Sequence, residues 1–424
     1  MQFTPLQRMH EMRGKGPDEA KFYWSGGPVE LAPRTFFASV FSGVTAFETD
    51  AGLVLVDSGL KLLSEGIAGL IRQKTSAPVH TAVFTQGHVD HAFGLKAFLS
   101  PGQDTPRVVA HRKMPARFAR YARTAGHNAA LNARQFGAAV TAFDDADDAR
   151  TTFQAPELPP DTFYDERVDL VVGGETFQVH HCEGETDDHS WVFAPERGVL
   201  CPGDLFIWGV PNAGNPQKVQ RYPWSWAAGL RAMAACQPRS MGPGHGGPIV
   251  DEPDRLQQML HETADYLDAI VEQTLAAMND GAPPHVDIVQ RVRIPKSDSP
   301  WLQPVYDEGE FIVRNVIRYF GGWYSGRPSE LKPAARAAVA GEVAELAGGP
   351  VALLQRARER MRRGERRLAC HLADYALEAA PDDAGVREGV AEIYEQRAEG
   401  ETSLMAVNLF RSAAAYAREG RPFA

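Results

Sequence analysis

Thr85-Gln86-Gly87-His88-Val89-Asp90-His91 places two imidazoles and a carboxylate within four positions. The stretch closes an apolar run over residues 79–85 that reads as a short buried strand, and a helix-like segment follows it. One histidine in such a place is ordinarily a satisfied core residue. Two imidazoles and a carboxylate on a strand-end loop are the donor types that suit a borderline cation such as Zn²⁺. Outward from this stretch, residues 44–57 read as a β-hairpin turning at Asp50-Ala51-Gly52, and residues 60–72 have helical spacing of apolar side chains. One helix is expected over 114–136. Hairpins are expected over 168–181, turning at Gly173-Gly174, and over 190–205, turning near Pro195-Glu196-Arg197-Gly198. The character changes after Pro253: a helix covers 255–278, and helices follow at 334–347, 350–363, 366–379, 383–399 and 402–419, with breaks at Gly364 and Pro381. The pattern predicts a mixed α/β domain over 1–253 and an all-α domain over 254–424.

Composition narrows the function. A chain of 424 residues holds two or three domains at about 150 residues each. With 44 Lys+Arg against 54 Asp+Glu, the formal charge is −10 and no basic cluster stands out, which argues against nucleic acid and anionic membranes as partners. No apolar run resembles a leader at the N-terminus, and none reaches the ~20 residues of a membrane span. Cys182, Cys201, Cys236 and Cys370 form no CxxC pair, so reduced thiols in a cytoplasmic protein are expected rather than a structural zinc site. There is no glycine-rich phosphate loop and no serine nucleophile elbow. Asp144-Asp145 and Asp147-Asp148 read as a solvated acidic loop. Trp208, Tyr222, Trp224 and Trp226 could wall an apolar pocket or pack against the helical domain.

The segment 86–91 resembles the metallo-β-lactamase signature HxHxDH, with Gln86 in the first His position. Further motifs appear in order: Asp57 in Val56-Asp57-Ser58-Gly59, Glu185 in Gly184-Glu185-Thr186 where the family usually has His, Asp204 in Gly203-Asp204-Leu205, and His245 in Pro243-Gly244-His245-Gly246-Gly247. Glu at the third motif is similar to the zinc-dependent alkylsulfatases of this superfamily. So are residues 306–328 (YDEGEFIVRNVIRYFGGWYSGRP) and 364–395, the latter resembling their helical dimerisation domain. The resemblance implies an αββα sandwich followed by an α-helical dimerisation domain, and a homodimer. It also implies up to two Zn²⁺. His88, Glu185 and Gln86 would hold one ion and Asp90, His91 and His245 the other, with Asp204 bridging and Asp57 behind the ligands. Asp90 and Asp204 would be the catalytic carboxylates. A metal-held hydroxide would attack a small-molecule ester, with a sulfate monoester favoured.

The chain also departs from that family. Gln86 offers a neutral amide in place of an imidazole, so the Gln86/Glu185 site is rich in oxygen and is expected to bind Zn²⁺ weakly, to accept Mn²⁺ or Fe²⁺, or to stay empty. Residues 210–218, where the family carries a sulfate-binding Arg, hold none; Lys218 and Arg221 are the nearest cations and, with His189, the candidate substrate-binding residues, although surface positions are the ordinary reading for both cations. Many relatives continue into a sterol-carrier-like domain that is missing from this sequence, so a small or medium sulfate ester is expected rather than a long-chain one. The alternatives are a hydrolase of another ester, a lactone or a phosphodiester, and a degenerate member that binds without turnover.

Overall fold

The computed structural model describes residues 27–136 and 153–423. The N-terminal stretch read for a leader and the acidic run from Asp144 to Asp148 lie outside them. Val29–Ala32 (β1), Thr35–Ser39 (β2), Gly43–Thr49 (β3), Gly52–Val56 (β4), Val79–Val83 (β5), Arg107–His111 (β6) and Thr162–Tyr164 (β7) form one sheet in that order. It is antiparallel through β4 and parallel from β4 to β7. Arg167–Val172 (β8), Glu175–His181 (β9), Ser190–Ala194 (β10), Val199–Ile207 (β11) and Ser240–His245 (β12) form the second, in the order β12-β11-β10-β9-β8.

The central strands, β2 to β4 and β10 to β12, are buried on both faces, and the two-residue period divides β2, β4 and β10 between two cores. Val54 and Val56 of β4, Phe37 of β2, and Val192 and Ala194 of β10 meet between the sheets, against Phe177, Val179 and Cys201. Leu53, Leu55, Phe36 and Ala38 face the other way, onto Ile67 and Ile71 of helix Ser64–Arg72 and Phe118 of helix Met114–Arg123. Trp191, Phe193 and Phe206 of the second sheet pack on Trp226, Leu230 and Met233 of helix Pro223–Ala235, and on Leu256 and Leu260 of Pro253–Asn279. The result is the expected αββα sandwich. The three hairpins fall where the turn residues put them. At the β8–β9 turn Gly173 and Gly174 both have positive φ, 58° and 82°, the backbone a two-residue hairpin of this type needs.

Two expectations need correction. The helix expected over 114–136 is two, Met114–Arg123 and Ala125–Phe136. Thr124 between them leaves helical geometry (φ −126°, ψ 26°) while its Oγ1 donates to the Arg120 carbonyl, a local side-chain bond that competes with the helix ladder. The compact units also do not divide at 253/254. One comprises residues 27–129 and 153–322, the other 130–136 and 323–423. Helices Pro253–Asn279 and Gly309–Phe320 bury Leu256, Leu260, Leu267, Ile312 and Val313 in the same core as Trp226, so apolar burial keeps them with the sandwich.

The second unit holds helices Arg336–Ala347, Pro350–Arg362, Arg366–Ala379, Ala384–Glu399 and Leu404–Glu419. Small residues, Ala357, Ala369, Ala373, Ala376, Ala391 and Ala414, line its core with Leu353, Leu354, Val390 and Tyr394. Asp383 and Ser403 cap the last two helices by accepting from the amides of Val386 and Ala406, which starts each helix a residue or two after the sequence pattern does. No single helix among the described residues is long and apolar enough to cross a membrane; the apolar pair Arg336–Ala347 and Pro350–Arg362 is bent by 82°.

Candidate metal centre

The loop after β5 is built around Asp57, which follows β4 with φ 63°. Its Oδ1 accepts from the Thr85 amide at 2.7 Å. Its Oδ2 accepts from Thr85 Oγ1 at 2.7 Å and from His91 Nδ1 at 2.8 Å. A single helical turn, Val89–Ala92, then carries Asp90 and His91 inward. Gly87 is pressed against helix Met114–Arg123: a Cβ there would lie 2.8 Å from Arg117 Cδ and 2.9 Å from Asp188 Oδ2. Asp188 accepts from the Gly87 amide at 3.1 Å and from Arg117 Nε at 2.8 Å. Arg117 also pairs with Asp187. Burial opposes the charge on Asp188, yet Arg117 holds its carboxyl below the usual range.

Asp90, His91, Asp204 and His245 converge from that turn, from within β11 and from the end of β12. His91 Nε2 lies 3.1 Å from Asp204 Oδ2 and 3.7 Å from Asp90 Oδ2. His245 Nε2 lies 3.3 Å from Asp90 Oδ2 and 3.4 Å from Asp204 Oδ1. Donors about 2.1 Å from a tetrahedral ion stand about 3.4 Å apart, so these four separations fit a cation at their centre. Both imidazoles are fixed from behind: His91 Nδ1 donates to Asp57, and His245 Nδ1 to the Phe41 carbonyl at 2.9 Å. Asp204 Oδ1 is buried with no hydrogen-bond donor among the described residues. Burial works against charge on His91 and His245, but Asp204 and its neighbouring carboxylates raise both, His91 well above its ordinary value and His245 to about 10. This concentration of negative charge is what a divalent cation would neutralise in place of protons.

The neighbouring cluster, His88, Glu185 and Asp204, also brings three donor atoms together. Its surroundings differ. Gln86 Nε2 donates to Glu185 Oε2 at 3.1 Å and to Asp204 Oδ2 at 2.7 Å, so the amide nitrogen, not the expected amide oxygen, faces the carboxylates. Glu185 Oε1 accepts from Arg221 Nη2 at 3.3 Å and from Asn212 Nδ2. Burial and the charge of Asp204 push the Glu185 carboxyl up to about 8. Burial, then Arg117 and Arg221, hold His88 well below the usual imidazole value.

Other expected residues fall differently. His189, expected at the substrate, is fully buried, and its Nε2 accepts the Asp204 amide at 3.1 Å, so it stands behind that residue. Arg221 is no surface cation: it is 1% exposed and reaches Glu185. Lys218 is partly buried, and lost solvation with the nearby Arg221 brings its pKa down to about 7. Trp208 and Trp226 are core residues, donating to the carbonyls of Gly247 and Leu205. Only Tyr222 and Trp224 stand toward solvent, beside Tyr319 and Phe320. Arg117, Asp188 and Asn212 were not anticipated. Asp188 had a sequence signal, an acidic pair next to the candidate ligand Glu185. Arg117 on an amphipathic helix had none.

A model described as metallo-β-lactamase superfamily matches residues 40–245, and one described as alkyl sulfatase dimerisation matches 285–420. The chain is 27% identical over 361 residues to a linear primary-alkylsulfatase of Pseudomonas sp., covering 80% of this chain and 67% of that one. It is 24% identical over 380 residues to an alkyl/aryl-sulfatase of Saccharomyces cerevisiae, covering 84% and 58%. It therefore spans about two thirds or less of the length of these curated relatives. Among solved structures, the stereoselective inverting sec-alkylsulfatase from Pseudomonas sp. superposes with a TM-score of 0.81 at 19% identity, over 98% of this chain and 71% of that one. At that identity the likeness concerns the fold.

Proposed function

We propose that this chain, which matches a metallo-β-lactamase superfamily model over residues 40–245 and an alkyl sulfatase dimerisation model over 285–420, is a metal-dependent hydrolase of sulfate monoesters. The observation that carries the reading is the four-donor set of Asp90, His91, Asp204 and His245 beside the buried cation Arg221. A divalent cation held by these four residues would supply Lewis acidity and the means to activate a water near neutral pH. Zn²⁺ suits a set of two imidazoles and two carboxylates. Asp57 and the Phe41 carbonyl keep both imidazoles presenting Nε2. A sulfate monoester is an anion and needs a charge-assisted donor. Glu185 fixes Arg221 through Nη2, and Arg221 Nε is buried with no acceptor among the described residues, an N–H available to a sulfate oxygen. Lys218, with its pKa brought down to about 7, adds an amine on the same loop that is protonated below neutral pH.

A panel of sulfate esters of graded chain length, run beside a lactone and a carboxylic ester, tests the reading. Cleavage of the sulfates is expected. A charge-assisted bond is worth about 1.5–3 kcal/mol, so Arg221→Ala should lower kcat/KM roughly 10- to 150-fold, mostly through KM. If only the lactone or carboxylic ester turns over, the chain is a hydrolase of this fold with another substrate. If Arg221→Ala and Lys218→Ala both leave sulfate hydrolysis unchanged, neither cation binds the sulfate. Hydrolysis in ¹⁸O-water separates attack at sulfur, with label in the sulfate, from attack at carbon, with label in the alcohol.

The proposal extends to a homodimer. The helical unit exposes Leu331, Val339, Leu346, Val351 and Leu368, Leu346 at 88% exposure, and apolar side chains gathered on one small unit are what an association surface covers. Light scattering at micromolar concentration should give twice the chain mass, and Leu346→Asp with Val351→Asp should shift it toward the monomer. A monomeric unmodified chain would rule the dimer out.

A further inference from the structure

The two candidate clusters share Asp204, but their surroundings are unlike. We infer that the chain retains a single divalent cation, held by Asp90, His91, Asp204 and His245, and that Gln86, Asn212 and Arg221 close the neighbouring His88–Glu185 pocket to a second. This rests on the reading of the chain as a metal-dependent hydrolase and narrows it.

The first reason is occupancy. An ion shared by Glu185 and Asp204 would lie between their facing oxygens. The Gln86 amide nitrogen is already there, 3.1 Å from Glu185 Oε2 and 2.7 Å from Asp204 Oδ2. The hydrogen-bond network assigns the orientation of this amide. Turned over, its oxygen would face two carboxylates, and its NH₂ would sit where the oxygen now finds no donor among the described residues. The other Glu185 oxygen is taken by Asn212 and Arg221.

The second reason is charge. Arg221 carries a full positive charge 3.3 Å from Glu185 and is 1% exposed, so solvent screens it weakly. A second dication beside Glu185 would therefore meet a buried like charge. Among the described residues no Lys or Arg pairs with Asp90 or Asp204. Their charge is free for the other cation.

The third reason is orientation. His91 and His245 each have Nδ1 tied to an acceptor, which fixes ring angle and tautomer. His88 has no such bond among the described residues; its nearest ionic neighbour is Glu185 Oε1, at 3.7 Å from Nδ1. Loss of one orienting partner typically costs 10- to 100-fold in metal affinity. With an amide standing for the missing imidazole, the affinities of the two pockets should differ by at least about a hundredfold.

The test is metal stoichiometry by elemental analysis. The full chain is incubated with excess Zn²⁺ and passed through metal-free buffer. One ion per chain is expected. His88→Ala should still retain one ion, because His88 takes no part in the four-donor set. His245→Ala should retain at least tenfold less. Two ions per chain in the unmodified protein would overturn the inference and leave the hydrolase reading standing. A single ion lost with His88→Ala, or kept with His245→Ala, would also overturn it by placing the ion in the other pocket. No retained ion at all would overturn this inference and the metal-dependent hydrolase together. Should His245→Ala not fold, the unmodified count and His88→Ala decide between the outcomes.

Discussion

Asp204→Asn is expected to lower kcat/KM on a sulfate monoester by about three orders of magnitude and to release the cation. Asp204 touches both imidazoles of the four-donor set, at 3.1 and 3.4 Å, and its amide is held by His189. An amide keeps the shape but removes the charge that binds a dication. Stabilisation of developing charge by a bound metal is worth several kcal/mol; taken as about 4, at about 1.4 kcal/mol per decade, that is roughly a thousandfold. Elemental analysis and initial rates on the same sample check it. Retained metal with a rate loss under tenfold would remove Asp204 from the centre. His189→Ala serves as the contrast: it removes only the acceptor for the Asp204 amide, so metal binding should weaken without being abolished.

The largest stability effect is expected from Asp188→Ala. Arg117 and Asp188 have side-chain exposures of 2% and 0%, so both charges are out of water. Removing Asp188 leaves Arg117 with only the more exposed Asp187 and leaves the Gly87 amide without its acceptor. The cost of breaking a buried pair in this way is about 3–5 kcal/mol. Burial opposes the Asp188 charge but Arg117 outweighs it, so the carboxyl titrates below its ordinary 3.8. A depressed folded-state pKa gives stability that is present above the unfolded value and is lost as pH falls through the folded one. The difference between the proteins should therefore be full at pH 7 and shrink below about pH 4. Urea unfolding at both pH values measures it. A loss below 1 kcal/mol at pH 7 would mean that the pair does not brace the loop. The double change Arg117→Met with Asp188→Leu should recover part of the loss, since apolar replacement of a whole buried pair is often neutral.

Both variants act through groups that differ in how far the sequence reveals them. His88, Asp90 and His91 lie within four positions of one another, so the local backbone, a strand end running into one helical turn, brings them together wherever the loop sits. The hairpins at Asp50-Ala51-Gly52, Gly173-Gly174 and Pro195–Gly198 are likewise local, set by turn residues between alternating runs. The helices after Pro333 follow from periodicity and caps in the same way. Asp204 and His245 could be marked from their Gly-Asp and Gly-His contexts only as part of an ordered motif set, because neither context is specific alone.

Composition and short-range pattern therefore determine a mixed α/β first part and a helical second half, while the αββα class and the full set of residues at the centre followed from the resemblance carried by the ordered motifs. Tertiary structure alone decides how the two pockets differ. Gln86 meets Asp204 across 118 positions of chain and Glu185 across 99, and those pairings depend on how the two sheets register and pack. The same packing turns Arg221 from a presumed surface cation into a buried partner of Glu185, seats Arg117 under the ligand loop, and keeps helix Pro253–Asn279 with the sandwich. Burial is a property of the closed fold: a charged residue in a linear sequence has the same hydration prospects as any other until the sheets and helices around it exclude water.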